Sequence, residues 1–220
     1  MSLKSLGLDY VDAYLMHWPI AMNPNGNHEK FPKHADGSRD LVLDRSHVDT
    51  WLDMEKLLAT GKAKSIGVCN YSAHYLNVLL SDKRVKVVPA INQIENHPEL
   101  PQQEVVDLCR EKGIHVTAYS PLGSTGSPLM KNPDIAKVAE KHGVQPANVL
   151  LSWHVACGRS VLAKSVNPSR IEQNSKITAL DQEDLKALAA VSANGVKRYV
   201  YPEFGVNFRF PDKNEGIIVA

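Results

Sequence analysis

Five short clusters in this 220-residue sequence carry side chains of a type and position that could do chemistry: His17-Trp18, Cys69-Asn70, NQIENHP over 92–98, YSPLGS over 119–124 and AKSVNPSR over 163–170. His17 follows the alternating Val11, Ala13 and Leu15 and is stopped by Trp18 and Pro19. An imidazole where a strand meets its loop can donate to a reacting group, or it can be a hydrogen-bonded core residue, and the strand alone leaves both open. Asn70 and Gln93 each offer a donor and an acceptor on one amide, which suits a ligand amide and equally suits a turn or a strand-end cap. Tyr119 reads as a stacking ring or as a core tyrosine. Ser120, Leu122, Gly123 and Ser124 are small enough, Leu122 apart, to let backbone N–H groups approach a phosphate, although a Gly/Ser run is often a plain loop. Lys164 ends a strand and Arg170 lies in the first turn of the next helix, with Ser165 between them. The two charges can converge with helix N–H groups on one anion, or form a solvated turn.

The elements that must position these clusters can be read from periodicity and caps. Tyr10 to Pro19 is a strand, and Ile20 to Arg45 is a polar loop with no periodicity, long enough to be a lid or a binding loop. Ser46 caps an amphipathic helix that Gly61 ends. Ser65 to Cys69 is a strand, Ser72 caps a second helix, and Val87 to Ile94 is a third strand. Pro101 opens a helix stopped by Gly113; Ile114 to Tyr119 is a fourth strand. Helices over Asp134 to His142 and Pro146 to Cys157 precede a fifth strand, Val161 to Val166. Asn167 and Pro168 start another helix, and Asp181 caps the last, which runs to Gly195. Strand and helix alternate throughout, and the strands look apolar on both faces, as in a parallel sheet covered by helices. Every chemical cluster falls at the C-terminal end of a strand. A doubly wound sheet gathers such clusters at a switch point, whereas a parallel barrel spreads them over all strand ends, so the expectation is an α/β chain of TIM-type barrel lineage, taken as a single domain over 1–220. No GxGxxG follows any strand.

Lys and Arg number 25 against 24 Asp and Glu, so no global field attracts nucleic acid or an anionic membrane. The three cysteines, Cys69, Cys109 and Cys157, form no CxxC pair and suggest neither a disulfide framework nor a zinc site; a cytoplasmic, reducing setting is expected. His28, Glu29, His34 and Asp36 in the long loop match no ligand spacing, and no metal is expected. No apolar run has the length of a membrane span.

LMHWP, GVCNY, NQIENHP, AYSPLGS and AKSVNPSRIEQN, in that order, make the chain from Ser2 to Phe210 resemble the aldo/keto reductases, in particular the fungal NADP-linked aldehyde reductase and glycerol dehydrogenase branch. The resemblance implies that His17 is the catalytic histidine that orients a substrate carbonyl while hydride arrives from a nicotinamide, and that Trp18 is a wall of the substrate pocket. It implies that Asn70 and Gln93 bind the carboxamide, and that Tyr119 stacks on the nicotinamide. Ser120, Leu122 and Ser124 would belong to a strap over the pyrophosphate. Lys164, Ser165 and Arg170 would clamp a 2′-phosphate and Asn174 would meet adenine, so the cofactor is NADP(H). The tail Lys197 to Phe210 resembles a loop lining the substrate pocket. Cys69, Ala163 and Gln173 depart from common family choices of serine, proline and carboxylate.

The family's early strand and helix units, which carry its catalytic Asp, Tyr and Lys, have no counterparts in these residues, Met1 falling where the third helix would end. The expectation is therefore roughly the last five units of an (β/α)8 barrel, N-terminally truncated. Catalysis would be impaired by the missing acid, and the open edges at His17 and Val166 would allow self-association of a fold whose intact members are mostly monomeric. The implied activity is NADPH-dependent reduction of small aldehydes or ketones, with a small-molecule carbonyl as the partner; the alternative is a noncatalytic NADP(H)-binding or structural protein.

Overall fold

The computed structural model of the chain describes residues 2–28, 30–213 and 215–218, so Met1 and the loop residue Glu29 lie outside it. Five strands are joined by helices: β1 (Val11–Met16), β2 (Ala63–Cys69), β3 (Ile91–Glu95), β4 (His115–Tyr119) and β5 (Ser160–Leu162). Their order in the sheet is β1-β2-β3-β4-β5. β1 and β2 are parallel, with Val11 opposite Ala63 and Met16 opposite Val68, and β4 and β5 are parallel, with Thr117 opposite Ser160. A sheet whose spatial order follows chain order contains no reversal, and therefore no doubly wound switch point. The α/β fold expected from the strand ends is the one observed.

The helices are α1 (Ser2–Leu6), α2 (His47–Leu58), α3 (Ala73–Ser81), α4 (Gln103–Glu111), α5 (Pro133–His142), α6 (Pro146–Ala156), α7 (Pro168–Asn174) and α8 (Gln182–Ala190). The expected caps act as such. Ser46 Oγ accepts from the Asp49 N–H at 3.1 Å, Ser72 Oγ from Tyr75 at 3.5 Å, and Asp181 and Asp184 form a reciprocal capping box. The helix expected from Pro101 begins two residues later, and the last one ends at Ala190 in a 3₁₀ turn over Val191–Asn194.

Two strands are shorter than their apolar runs suggest. In the third run, the Lys86 and Val87 N–H groups bond Glu55 Oε1 of α2 at 2.8 and 2.9 Å, and the Val87 carbonyl accepts from the Trp51 indole. Those groups are spent on a helix, and Pro89 has no N–H to give, so β3 starts only at Ile91. The fifth run stops at Leu162 because Ser165 Oγ turns back to accept the Asn167 N–H at 3.1 Å. β1 also differs from the expectation of two apolar faces. Asp12, Ala13 and Tyr14 are exposed and only Met16 is buried, whereas β2 is buried from Ile66 to Cys69. β1 and β5 end the strand order, and each has one ladder neighbour among the described residues.

The chain forms two compact units, 1–92 with 108–114 and 202–220, and 93–107 with 115–201. In the first, Trp51, Ile66, Tyr71, Tyr75, Leu76, Leu79, Phe208 and Phe210 are fully buried. The second is built on a core of Leu129, Ile135, Val138, Val149, Leu150, Trp153 and Leu188, against which Leu122 and Tyr199 pack. All three cysteines are thiols, Cys69 and Cys109 buried and Cys157 exposed. Among the described residues, no helix is long and apolar enough to cross a membrane, and no group of three His, Cys, Asp or Glu is placed to hold a metal ion.

Candidate active site

In the first unit, β1 and β2 end side by side. The Asn70 side chain donates to the His17 carbonyl at 2.9 Å, so the turn that carries the imidazole is held by the residue that ends the next strand. Asn70 is 3% exposed and takes φ 61°, a left-handed conformation that asparagine tolerates better than most residues. The His17 residue itself is exposed, yet enough protein crowds the ring that desolvation lowers its pKa below the usual histidine value. A histidine so placed is neutral near pH 7, with one ring nitrogen to donate and one to accept.

Trp18 is buried beneath the tail. Phe204 meets it edge-on at 5.5 Å and Phe208 lies tilted against it at 4.9 Å. The tail therefore reaches the indole through Phe204 and Phe208. The long loop carries its own backbone hydrogen bonds. Asn23 N–H bonds the Asp40 carbonyl, Val42 N–H the Ala21 carbonyl, and Asp40 N–H the Pro32 carbonyl, each at 3.0 to 3.1 Å. The Asn23 amide holds the Asp40 carboxylate at 2.8 Å, and His28 Nδ1 accepts from the Lys30 and Phe31 N–H groups. The last residue of the loop, Arg45, also bonds Thr50, Asp49 and Asp53 of α2.

In the second unit, Tyr119, Ser120, Leu122, Ser124 and Lys164 line one cleft of ≈ 690 Å³, together with Pro121, Thr125 and Leu162. The segment over 120–127, which supplies most of this lining, is a chain of tight turns. Ser120, Gly123, Ser124, Gly126 and Ser127 all have positive φ, and the Gly123 and Ser127 N–H groups close turns on the Ser120 and Ser124 carbonyls. A Cβ at Gly123 would sit 2.9 Å from Pro128 Cγ and 3.2 Å from the Tyr199 ring, so only glycine fits the bend. Polar turns and a lysine lining one cleft suit a phosphate-bearing ligand, the class of ligand that the family resemblance implies.

Ser165, Arg170 and Asn174 do not line this cleft. Ser165 accepts from Asn167, Arg170 is exposed and gives its backbone N–H to Asn167 Oδ1 at 3.2 Å, and Asn174 is the half-buried last residue of α7. Gln93 is half-buried in β3. Its neighbours turned out to be structural. Asn92, fully buried, accepts the Tyr71 N–H and donates to the Tyr71 carbonyl, and so pins the loop after Asn70.

Sequence reading missed Glu95. It is fully buried, and its two oxygens accept the consecutive Tyr199 and Val200 N–H groups at 2.7 and 2.8 Å, while His97 Nε2 lies 3.0 Å away. Tyr199 Oη also donates to Glu99, and the Glu99 carbonyl accepts the Lys197 N–H at 2.9 Å. The carboxylate thus anchors the tail by its backbone. The available signal was an acidic residue ending a strand two residues before a histidine; an acid buried there must find N–H donors.

With a strand order that follows the chain, chemistry at the strand ends and a cleft lined by tight turns and a lysine, the chain has the marks of a barrel-type nucleotide-dependent enzyme. It belongs to the aldo/keto reductase family, whose profile matches residues 1–193. It is 60% identical over 218 residues to a D-galacturonate reductase of Hypocrea jecorina, covering 97% of this chain and 70% of that protein. It is 48% identical over 209 residues to the glycerol 2-dehydrogenase (NADP(+)) of Saccharomyces cerevisiae, covering 92% and 67%. The solved structure of aldose reductase from Giardia lamblia matches with a TM-score of 0.85 at 36% identity, covering 92% of this chain and 69% of that one.

Proposed function

We propose that the chain is an NADPH-dependent oxidoreductase acting on small aldehydes or ketones. The observation that carries this reading is the cleft lined by Tyr119, the 120–124 turns and Lys164 in a chain of this family. NADPH bound there supplies a hydride. The turn amides and Lys164 would hold its phosphates, Tyr119 would offer a flat ring for the nicotinamide, Asn70 and Gln93 would bind its carboxamide, and Ser165, Arg170 and Asn174 would meet its adenosine end. His17, neutral near pH 7, can give one N–H to the carbonyl oxygen and so hold it while negative charge develops there. The oxygen must also receive a proton. The resemblance assigns no residue of this chain to the family's acid, lysine or aspartate, and turnover by this polypeptide alone is proposed to be slow. The relatives' names, which include NADP(+) and reductases of aldehydes, support the choice of cofactor and of carbonyl substrates.

The test is a titration of intrinsic fluorescence with NADPH and with NADH, followed by an assay with NADPH and a reactive aromatic aldehyde. The reading expects NADPH to bind at least tenfold more tightly than NADH and any turnover to be slow. Absence of NADPH binding would sink it, and turnover at the rate of an intact reductase would sink the claim of impairment.

A further inference from the structure

Arg39 stands apart from the other basic residues of the first unit. Its guanidinium carbon lies 5.0 Å from the centroid of the Phe31 ring and 5.4 Å from that of Phe204. Both contacts are within the range of a cation–π attraction, so the fork is held by two aromatic faces and not by a counter-charge. Among the described residues no carboxylate forms an ion pair with it, and its one hydrogen bond goes from Nη1 to the Phe31 carbonyl at 3.5 Å. The neighbouring acids are engaged elsewhere: Asp40 with Asn23 and His34, Asp36 with Ser38. A guanidinium carries five N–H donors in a plane that matches a carboxylate bidentately, and here most of them are left for a ligand. Its position gives that ligand a direction. Phe204, under Arg39, packs edge-on against Trp18, and Trp18 follows His17, which is exposed.

We infer that Arg39 is a specificity-determining residue that receives the carboxylate of an acidic sugar aldehyde, a hexuronate, whose aldehyde end is presented to His17. This rests on the carbonyl-reductase reading and adds the class of substrate. An open-chain hexuronate carries an aldehyde at one end and a carboxylate at the other, so a single molecule can use an imidazole donor and a guanidinium fork together. The 60% identical relative is by name a reductase of such a compound, which agrees with the geometry. Holding the arginine between rings orients the fork before the ligand arrives and reduces the ordering that binding requires.

The probes are galactonate and galactitol, open-chain six-carbon compounds that differ at one end by a carboxylate. Calorimetry on the chain saturated with NADP+ should show galactonate binding at least tenfold more tightly than galactitol. R39Q should lose tenfold or more in galactonate affinity while its affinity for NADP+ is unchanged. A smaller loss in R39Q, equal binding of the two probes by the wild type, or no galactonate binding by a chain that binds NADP+ would each overturn the assignment. Should R39Q fail to fold, R39K decides, because it keeps the charge and loses the fork: a galactonate preference cut at least threefold supports the role, and an unchanged preference overturns it. If NADP+ itself does not bind, the cofactor reading falls, and the same two probes on the nucleotide-free chain still judge Arg39.

Discussion

Gly123 sits in the turns whose neighbouring residues line the proposed nucleotide cleft, Lys164 lines it directly, and the two fail in different ways. At Gly123 a methyl group meets Pro128 and the Tyr199 ring while the backbone is held at φ 89°. Gly123→Ala is expected to cost about 1–3 kcal/mol, felt as weaker NADPH binding and a lower melting temperature together. Lys164→Met leaves the fold alone, because the residue is exposed, and removes only a charge. The expected result is a loss of NADPH affinity of roughly tenfold, as for one charge-assisted contact, with NADH affinity nearly unchanged. An equal loss for both nucleotides would show that Lys164 does not meet the 2′-phosphate. Both positions could be singled out in the sequence, as a Gly/Ser run and a strand-end lysine, although a plain loop and a solvated turn would read the same. Asn92 and Glu95 could not be, since a buried amide or acid is explained only by the distant backbone groups it bonds, Tyr71 in one case and Tyr199 with Val200 in the other.

At the scale of elements, side chains decide where backbone goes. Glu95 holds two successive tail amides, and Glu95→Gln replaces an acceptor of two charge-assisted bonds by a group with one acceptor oxygen. A stability loss of about 2–3 kcal/mol is expected in denaturant titrations, with the tail amides exchanging faster with solvent. Helix α2 adds a pH dependence. Burial drives His47 down to about 4, with the nearby His74 adding to the effect, and its Nδ1 lies 3.2 Å from the buried Tyr71 hydroxyl. The unfolded chain binds a proton at this residue near pH 6.5, while the folded chain resists until about 4. Between those values the unfolded state holds more protons, so the contribution is complete above about pH 6.5 and is lost as pH falls toward 4, for a total of about 3 kcal/mol. The buried His154, also lowered by burial, acts in the same direction. Asp82, held near 2 by Arg84, titrates below this window. Denaturation midpoints measured from pH 7 to 4.5 should fall in the wild type and fall less steeply in His47→Asn. Identical slopes would remove His47 from the account.

Across the whole molecule, the helices and their caps were readable from periodicity and N-cap residues, which are local properties, while the parallel α/β arrangement was read from the chemistry falling at strand ends. The shortening of the third strand was not, because it depends on Glu55, a residue of another element, taking the amides that a ladder would have used. Nor was the exposure of β1, since an apolar alternation does not say how many neighbours the strand has. That edge bears on behaviour in solution. With Tyr14 exposed and β1 and β5 ending the strand order, a polypeptide of these residues is expected to self-associate with rising concentration, and Tyr14→Lys should shift the association to higher concentration in sedimentation experiments. The loop over 20–45 has a different consequence, one of timing. Because its amides are already bonded to Asp40, Ala21 and Pro32, the wall that carries Arg39 has no closure to complete when a sugar acid arrives. Rapid mixing with galactonate should therefore give a single phase whose rate rises in proportion to ligand concentration, where a closing lid would impose a plateau.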